Sequence, residues 1–402
     1  MKSIISKCIT GIPFHIEPIH FCEPSNAGVY YHYTSIEKMW LILDGEKLRA
    51  TQAGFSNDNE EILMGIKVVK KVCKELFENV NEEMLAFVDS ISRDTLDSYI
   101  ICFCEKDDKL SQWRAYCKDG GVSLGFAFDD SNPNYYYTKR EGYLCTGTKS
   151  QLYPVFYYNY NSKCTECFRC LTEEKLKNII QGKMDLIHDN QAKKQAILEL
   201  IPYVKHCGFC EEDEHRLLID NPLDYSMHNT VFKSDDVVEY FDKDGKRSPY
   251  ISIKFNSDIN TKDIIIRVFC TESSYGEILD RINTVVNNYN STVKDSEKIC
   301  LKDKIVHVPS SDDKIIIGQG NDTIQELLFK VVDRINSPFH LNEGRKIIPI
   351  WCDGHLPIRT ITVAPSLDQQ RQISMIKHFC SHKHFWLKYV SVKGSNIPFR
   401  SY

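Results

Sequence analysis

Apolar and polar positions repeat with two different periods over residues 29–128, and each change of period separates a strand from a helix. Val29 to Tyr33 is a β-branched and aromatic run that is typical of a strand. Ser35 comes directly before apolar residues at helical spacing, so we predict a helix that Ser35 caps and Gly45 ends. A second short strand follows from Lys47 to Ala50.

Longer elements continue this alternation. Glu61 to Asn79 carries apolar residues along one side, as an amphipathic helix does. Tyr99 to Cys104 is continuously apolar, which suits a central strand that is covered on both faces. A short helix over Leu110 to Tyr116 and a strand over Val122 to Phe128 follow, with one or two amphipathic helices over 173–204. This mixture of strands and helices predicts an α+β fold.

A weak internal repeat occupies the C-terminal third of the chain. Each copy contains two strands and then a helix, the first copy starting at Tyr250 and the second at Ile347. We divide the chain into a domain at 1–270 and a smaller α/β region at 271–402, which we expect to bind a target or a partner. A basic aromatic run at 378–389 would suit phosphate contacts and base stacking, and an ordinary exposed loop is the alternative.

Composition and charge narrow the class of protein. The chain has 402 residues, of which 42% are apolar and 26% charged, and this supplies enough apolar area for a sizeable core. A net charge of −5 argues against a protein that coats nucleic acid through bulk positive charge. No apolar run is long enough to span a bilayer, and the N-terminus lacks a signal-peptide core. We expect a cytoplasmic protein with no membrane partner.

The 16 cysteines are many for a chain in a reducing compartment, where they are thiols or metal ligands. Two groups have the spacing of zinc ligands: Cys164, Cys167 and Cys170, then Cys207 and Cys210. Because cysteine also occurs throughout the chain as a small apolar residue, we predict no metal and keep a zinc site as the alternative.

His32 is the first candidate for a ligand-binding residue. On a strand its neighbours Tyr31 and Tyr33 point to the opposite face, so His32 can face a cleft while they pack. A histidine that is hydrogen-bonded at the edge of a core is the alternative.

Two further groups of residues suit a wall of the same cleft. Asn57, Asp58 and Glu61 follow the second strand in a polar loop, where their side chains can instead simply fix the turn. Trp113 and Tyr116 are three residues apart on the short helix and share a face. They would stack on an aromatic ring of a ligand, or they cap the core.

The order of several motifs carries a resemblance to a known family. The motifs are Y-H-Y-T-S at residues 31–35, the loop with Asn57, Asp58 and Glu61, the W-R-A-Y segment from Trp113, and E-D-E-H-R-L-L-I from Glu212. Together they resemble a family of bacterial proteins catalogued as a domain of unknown function. That family is similar in motif layout to the ADP-ribosyltransferase superfamily, and especially to its His-Tyr-Glu branch. The resemblance covers roughly the first 270 residues.

This resemblance implies a fold and a set of roles. The fold is an ADP-ribosyltransferase-like core, a split antiparallel sheet with helices. His32 would hold a ribose hydroxyl of NAD, Tyr33 would pair its backbone with the nicotinamide amide, and Thr34 would complete the triplet. Glu212 and Glu214 have the spacing of the superfamily's last acidic motif, in which the second glutamate is catalytic.

The resemblance is incomplete at the second motif of the superfamily, and it also suggests a role for an arginine beside the acidic motif. Ser123 stands where the second motif of related enzymes has a tyrosine. Arg216, two residues beyond Glu214, is expected to hold the acidic turn in place and to contribute to the NAD site. From sequence alone, Glu212 and Glu214 are expected to repel each other as neighbouring like charges.

The favoured function is that of a glycosyltransferase acting on NAD. It would transfer ADP-ribose to a macromolecular acceptor, nucleic acid or protein, or cleave NAD, as a bacterial toxin or an antiviral defence effector with a partner protein of its defence system. NAD is a substrate here and no metal is needed. The alternative is a non-catalytic sensor or scaffold that has the same fold and binds a nucleotide or nucleic acid.

Overall fold

The computed structural model describes most of the chain from residue 25 onward. The described residues are 25, 28–55, 59–78, 80–96, 98–117, 120–128, 133–137, 144–149, 152–158, 169–219, 238–243, 246–255, 266–295, 298–301, 304–309, 314–317, 350–352, 355–383 and 385–398. Within this part of the chain, none of the helices combines the length and the apolar content that crossing a membrane requires.

The elements are numbered in chain order. The strands are β1 (Gly28–Thr34), β2 (Leu48–Gln52), β3 (Tyr99–Cys104), β4 (Val122–Phe128), β5 (Pro133–Tyr137), β6 (Leu144–Lys149), β7 (Leu152–Pro154), β8 (Phe156–Tyr158), β9 (Cys170–Leu171), β10 (Val204–His206), β11 (Glu214–Ile219), β12 (Glu239–Lys243), β13 (Lys246–Phe255), β14 (Ile266–Cys270), β15 (Ile305–Pro309), β16 (Lys314–Ile317), β17 (Ile350–Cys352), β18 (Ile358–Val363) and β19 (Ser391–Gly394). The helices are α1 (Ile36–Gly45), α2 (Asn59–Phe77), α3 (Glu82–Ser90), α4 (Leu110–Tyr116), α5 (Glu173–Leu186), α6 (Asn190–Leu200), α7 (Glu272–Asn290) and α8 (Gln369–His382).

The fold is mixed α+β, as predicted, and is built on a large open sheet. Its strand order is β19-β18-β4-β1-β3-β2-β13-β5-β6, with β11 beside β3, β7 beside β11 and β12 beside β13. Most neighbours are antiparallel, but β18 and β19 run parallel, so the sheet is mixed. Two smaller sheets have the orders β10-β8-β9 and β15-β14-β16-β17.

The large sheet splits along one edge of β3. On that edge β1 pairs with β3 at Tyr31 and Cys104, whereas β2 pairs with it at Thr51 and Ile100. The other edge of β3 is paired with β11 along its whole length. Between the two short contacts, no described strand pairs with residues 101–103 on the first edge. β1 and β2 therefore diverge from the middle of β3, and α1 connects them.

Helices cover both faces of the sheet near β3. Ile101 and Phe103 point into a core that also includes residues of α1, α7 and α8. Ile100 points to the other face, into a core formed by α2, α3, α5 and α6. Because side chains alternate along a strand, Cys102 lies on the same face as Ile100, towards α2. Helices thus lie on both faces of β3, as its apolar sequence predicted, although Cys102 in its middle is exposed.

Residues beyond 270 complete the sheet that the earlier residues begin. β18 pairs with β4, and β19 forms the far edge. Glu46, which ends α1 in the left-handed region at φ 49°, binds this part of the chain: its carboxylate accepts hydrogen bonds from His355 and Trp386 at 2.8 Å each. The predicted regions at 1–270 and 271–402 therefore share one sheet and one core.

Gly125 of β4 is the place where packing is tightest at the centre of the sheet. A Cβ atom there would lie 2.9 Å from Tyr31 Cε1 and 3.0 Å from Val29 Cγ1, and it would overlap Thr360. We expect Gly125→Ala to lower the free energy of unfolding by about 1–3 kcal/mol, because the side chains of Val29, Tyr31 and Thr360 would have to shift to admit the added methyl group. Urea unfolding measures this change.

Gly182 of α5 is a matched control for Gly125. A Cβ atom at Gly182 would meet nothing within 4 Å. Gly182→Ala should raise the free energy of unfolding by up to about 1 kcal/mol, since alanine favours the helix. Equal effects of the two substitutions would show that the close approach at Gly125 is not what limits stability.

Candidate functional site

Five charged side chains meet beside β3 and form what we call the charge cluster. None of these side chains is more than 14% exposed. The charge cluster consists of Glu61 of α2, Lys205 of β10, Glu212 in the 3-10 turn Cys207–Glu212, and Glu214 and Arg216 of β11.

Lys205 is the centre of the charge cluster. Its Nζ donates hydrogen bonds to Glu212 Oε2 at 2.6 Å and Glu214 Oε2 at 2.9 Å, and it lies 3.2 Å from Glu61 Oε2. Arg216 Nε donates to Glu214 Oε1 at 2.7 Å. The two Nη atoms of Arg216 donate to Glu61 and to the carbonyl oxygen of Pro202.

Such a cluster is stable only because its charges are paired, since an unpaired buried charge costs several kcal/mol. Burial favours the neutral form of Lys205, but the carboxylates of Glu214 and Glu212 outweigh it and raise the Lys205 pKa. The lysine is therefore a permanent cation. The ammonium group of Lys205 lies between Glu212 and Glu214 and compensates the repulsion that was expected between their carboxylates.

Cys102 and Tyr116 line a recess next to the charge cluster. The Cys102 side chain is exposed, and Tyr116 is 47% exposed. Even so, burial raises the pKa of both groups, assisted by Glu214 at Cys102 and by Glu212 at Tyr116. Cys102 lies at the split in the sheet, where β1 and β2 diverge, and we call the surface that Cys102 and Tyr116 border the recess. The recess is thus bordered by a thiol, a phenol and the carboxylates of the charge cluster.

His32 reaches the split in the sheet from the other side of β3. Its Nδ1 lies 3.0 Å from the backbone carbonyl oxygen of Cys102, on the edge of β3 that no described strand pairs with. A carbonyl only accepts, so Nδ1 carries the proton and Nε2 is a hydrogen-bond acceptor. Burial lowers the pKa of His32, which favours this neutral form.

Cys102 connects the two predicted parts of the site. Its carbonyl binds His32, and its thiol lies against the carboxylate of Glu214. The strand register places Tyr31, Cys104 and Glu214 side by side on one face, so His32 starts from the opposite face. The imidazole and the carboxylates therefore approach the split from its two sides.

The other sequence candidates near β1 make packing contacts. Trp113 is 4% exposed, its ring centre is 4.8 Å from that of Tyr33, and its indole N–H donates to Asp108. The Tyr33 hydroxyl donates to the Lys106 carbonyl oxygen, and Thr34 is buried at the end of β1. These contacts are those of the core-capping alternative for Trp113. The roles of Tyr33 and Thr34 in binding NAD stay predictions.

The polar loop and the cysteines are only partly described. Asn57 and Asp58 lie outside the described residues, whereas Glu61 belongs to helix α2 and to the charge cluster. Cys164 and Cys167 also lie outside. Cys170 is buried in a small apolar cluster against which Cys207 and Cys210 pack. Within the described ranges, no group of three or more His, Cys, Asp and Glu side chains is arranged to hold a metal ion.

Sequence reasoning identified four of the five members of the charge cluster and missed Lys205. The signal in the sequence was the position of this lysine. Lys205 directly follows the apolar run Ile201 to Val204 and stands shortly before the acidic turn. A lysine inside an apolar strand requires a buried counter-charge. Cys102 was also missed, because a cysteine in an apolar strand has the appearance of a core residue.

Comparison with known proteins gives one match, which covers most of this site. Residues 112–217 match the model of a family described as a protein of unknown function (DUF2971). The matched segment contains Tyr116 and all of the charge cluster except Glu61. No curated protein and no solved structure matches the chain. The chain therefore carries, at residues 112–217, a DUF2971 domain of unknown function.

Proposed function

We propose that the chain binds NAD at the split beside β3 and either transfers its ADP-ribose to a macromolecular acceptor, nucleic acid or protein, or cleaves it. One observation carries the proposal. A neutral imidazole, His32, and a cluster of carboxylates approach the same residue, Cys102, from two sides. The resemblance to the ADP-ribosyltransferase superfamily implies roles in NAD binding and catalysis for His32 and Glu214, which belong to these two groups.

The chemistry of NAD cleavage suits these groups. The bond between ribose C1′ and the nicotinamide nitrogen breaks, and its electron pair leaves with nicotinamide. The ribose becomes an oxocarbenium-like cation, which a nearby carboxylate stabilises. Water or an acceptor group then attacks C1′ and loses its proton. The Nε2 acceptor of His32 would accept a hydrogen bond from a ribose hydroxyl, and Tyr116 offers an exposed ring on which a base can stack.

The biological setting belongs to the same proposal. A toxin or a phage-defence effector acting in the cytoplasm, with a partner protein of its system, is what the resemblance implies. It rests on that resemblance alone.

A non-catalytic role is supported by a different observation. Both carboxylate oxygens of Glu214 accept hydrogen bonds from cations, Oε1 from Arg216 and Oε2 from Lys205. A glutamate that only holds strands together would be paired in this way. In that case the chain would bind a nucleotide or nucleic acid in the recess and leave it unchanged.

Labelled NAD separates the two functions. The purified protein is incubated with NAD labelled on the adenine, with and without cell lysate, and free nicotinamide is measured. Release of nicotinamide, with the label either free or attached to nuclease- or protease-sensitive material, supports the enzyme. Binding of NAD without release of nicotinamide supports the non-catalytic role.

Cys102 is a chemical reporter of ligand binding at the split. Because burial raises the pKa of the Cys102 thiol, its alkylation by iodoacetamide is followed at alkaline pH, where more of the reactive thiolate forms. We expect saturating NAD to slow this alkylation at least tenfold, because the ligand would cover the recess. Cys300 is also exposed but belongs to a different part of the fold, so its alkylation should not change. Mass spectrometry of peptides containing each cysteine measures both rates in one sample.

His32→Ala tests which side of the split holds NAD. At a fixed NAD concentration it should remove most of the protection of Cys102 while leaving the melting temperature nearly unchanged, since little core volume is lost. A lower melting temperature with undiminished protection would assign His32 to the edge of the core instead.

A further inference from the structure

We infer that Glu212, rather than Glu214, is the carboxylate that contacts the ligand, and that Lys205 is the positioning residue that holds it. This deepens the proposed function and rests on it for the identity of the ligand. It reverses the assignment made from sequence, in which the second glutamate was catalytic.

Glu214 is buried inside the charge cluster and connects its two cations. The residue is 5% exposed, it is in register with Cys104 of β3, and its backbone carbonyl oxygen accepts a hydrogen bond from the Val155 N–H at 3.0 Å. Arg216 and Lys205 donate to its two carboxylate oxygens, and its backbone N–H is donated to the Tyr157 hydroxyl at 2.9 Å. Both oxygens of this carboxylate are thus held by buried cations inside the charge cluster.

Glu212 has a different environment. Its side chain is 14% exposed, twice the 7% of Glu214, and it ends the 3-10 turn that also carries Phe209. Phe209 is 39% exposed and Tyr116 is 47% exposed. Glu212 is therefore the more exposed of the two glutamates, and it belongs to the turn that carries an exposed aromatic ring.

Lys205 fixes the position of Glu212 without competing for the ligand. The lysine is 2% exposed, belongs to β10 and pairs in parallel with β8, so its backbone is held by a sheet. Its ammonium is 2.6 Å from Glu212 Oε2, the shortest of its three carboxylate contacts. Its ammonium also lies 4.9 Å from the centre of the Phe209 ring. One buried cation thus orients both the carboxylate and an aromatic side chain of the same turn.

The five side chains of the charge cluster together suit a developing cation. Three of them are carboxylates and two are cations, so these five carry one net negative charge when they are ionised. A negative charge at the edge of a low-dielectric site stabilises an oxocarbenium-like cation. The charge cluster would supply it, with Glu212 as its most exposed carboxylate, as the bond from ribose C1′ to the nicotinamide nitrogen breaks.

Carboxylate labelling tests the position of Glu212 without any use of NAD. The full chain is treated with a water-soluble carbodiimide and glycine ethyl ester, and the modified residues are identified by mass spectrometry. We expect Glu212 to react at least tenfold faster than Glu214 and Glu61. Equal reactivity of Glu212 and Glu214 would overturn the inference, whether or not the protein consumes NAD.

Kinetics of NAD consumption test the role of Glu212. Glu212→Gln should lower kcat by about a hundredfold, a typical loss for one electrostatic stabiliser, with little change in KM. Glu211→Gln, a substitution of the exposed neighbouring acid, should leave both constants unchanged. If Glu212→Gln retains full turnover while Glu214→Gln loses it, the inference is wrong and the proposed function stands. A wild-type protein that consumes no NAD overturns the proposed function, and the labelling then decides the inference.

The positioning role of Lys205 has its own readout. Lys205→Met should also lower kcat, and the double variant with Glu212→Gln should be no slower than Glu212→Gln alone, because the lysine acts through that carboxylate. Additive losses would overturn the positioning role. Should Lys205→Met fail to fold, Glu212→Asp replaces it. This change keeps the charge and shortens the side chain, so kcat falls at least tenfold if position matters and is retained if charge alone suffices.

Discussion

Arg216→Met should lower the free energy of unfolding by about 3–5 kcal/mol, the largest loss of stability that we expect from a single substitution at the site. The side chain of Arg216 is 2% exposed and donates hydrogen bonds to Glu61, Glu214 and the carbonyl oxygen of Pro202. Methionine fills similar volume without a charge. It leaves Glu61 and Glu214 buried with Lys205 as their remaining cation, and a buried carboxylate that loses its partner is costly.

Urea unfolding of the wild-type protein and of Arg216→Met measures this loss. Arg371→Met is the matched control, because Arg371 is exposed on α8 and surface substitutions change stability by no more than about 0.5 kcal/mol. A loss below about 1 kcal/mol for Arg216→Met would show that water or a rearranged side chain reaches these carboxylates.

His215 should make the protein sensitive to acid. The imidazole is 6% exposed, its Nδ1 lies 2.5 Å from Ser25 Oγ, and burial together with the nearby charge of Arg169 lowers its pKa to about 3. In the unfolded chain a histidine has a pKa of about 6.5. Above that pH the ring is neutral in both states and stability does not depend on it.

Below pH 6.5 the imidazole of His215 takes up a proton in the unfolded state but stays neutral in the folded state. Stability should therefore fall as the pH decreases from about 6.5 towards 3, by up to about 1.4 kcal/mol for each pH unit. The difference between wild type and His215→Gln, measured by urea unfolding at several pH values, isolates this contribution. His188→Gln, at an exposed histidine, should leave the slope unchanged. Parallel curves for wild type and His215→Gln would mean that His215 takes up its proton while folded.

The sequence predicted the bounds of a helix or strand well where its apolar residues follow a single helical or strand pattern. β3, α4 and β4 have the predicted bounds, because a continuous apolar run and a short amphipathic segment are each defined by neighbouring residues alone. The end of α1 was less predictable. Gly45 is its last helical residue, but the left-handed residue that follows is Glu46, whose carboxylate is fixed by residues more than 300 positions later.

The site was predictable in its residue types and not in its arrangement. His32, Glu61, Glu212, Glu214 and Arg216 were identified from motifs and spacing. Lys205 was missed because its position between three carboxylates depends on contacts between distant segments. Glu212 and Glu214 were expected to repel each other, but Lys205 pairs with both of them. This pairing also depends on contacts between distant segments. Spacing reports which residues share a turn, whereas burial and pairing depend on the whole fold.

The strand order of the large sheet has a consequence for synthesis on the ribosome. β4 lies between β1, which is made early, and β18, which is made after residue 357. Until β18 emerges, one edge of an apolar strand at the centre of the sheet has none of its final partner, and such edges pair readily with other chains. Long sequence separation between neighbouring strands also slows folding. This edge of β4 therefore stays without its final partner while residues 129–357 are being made.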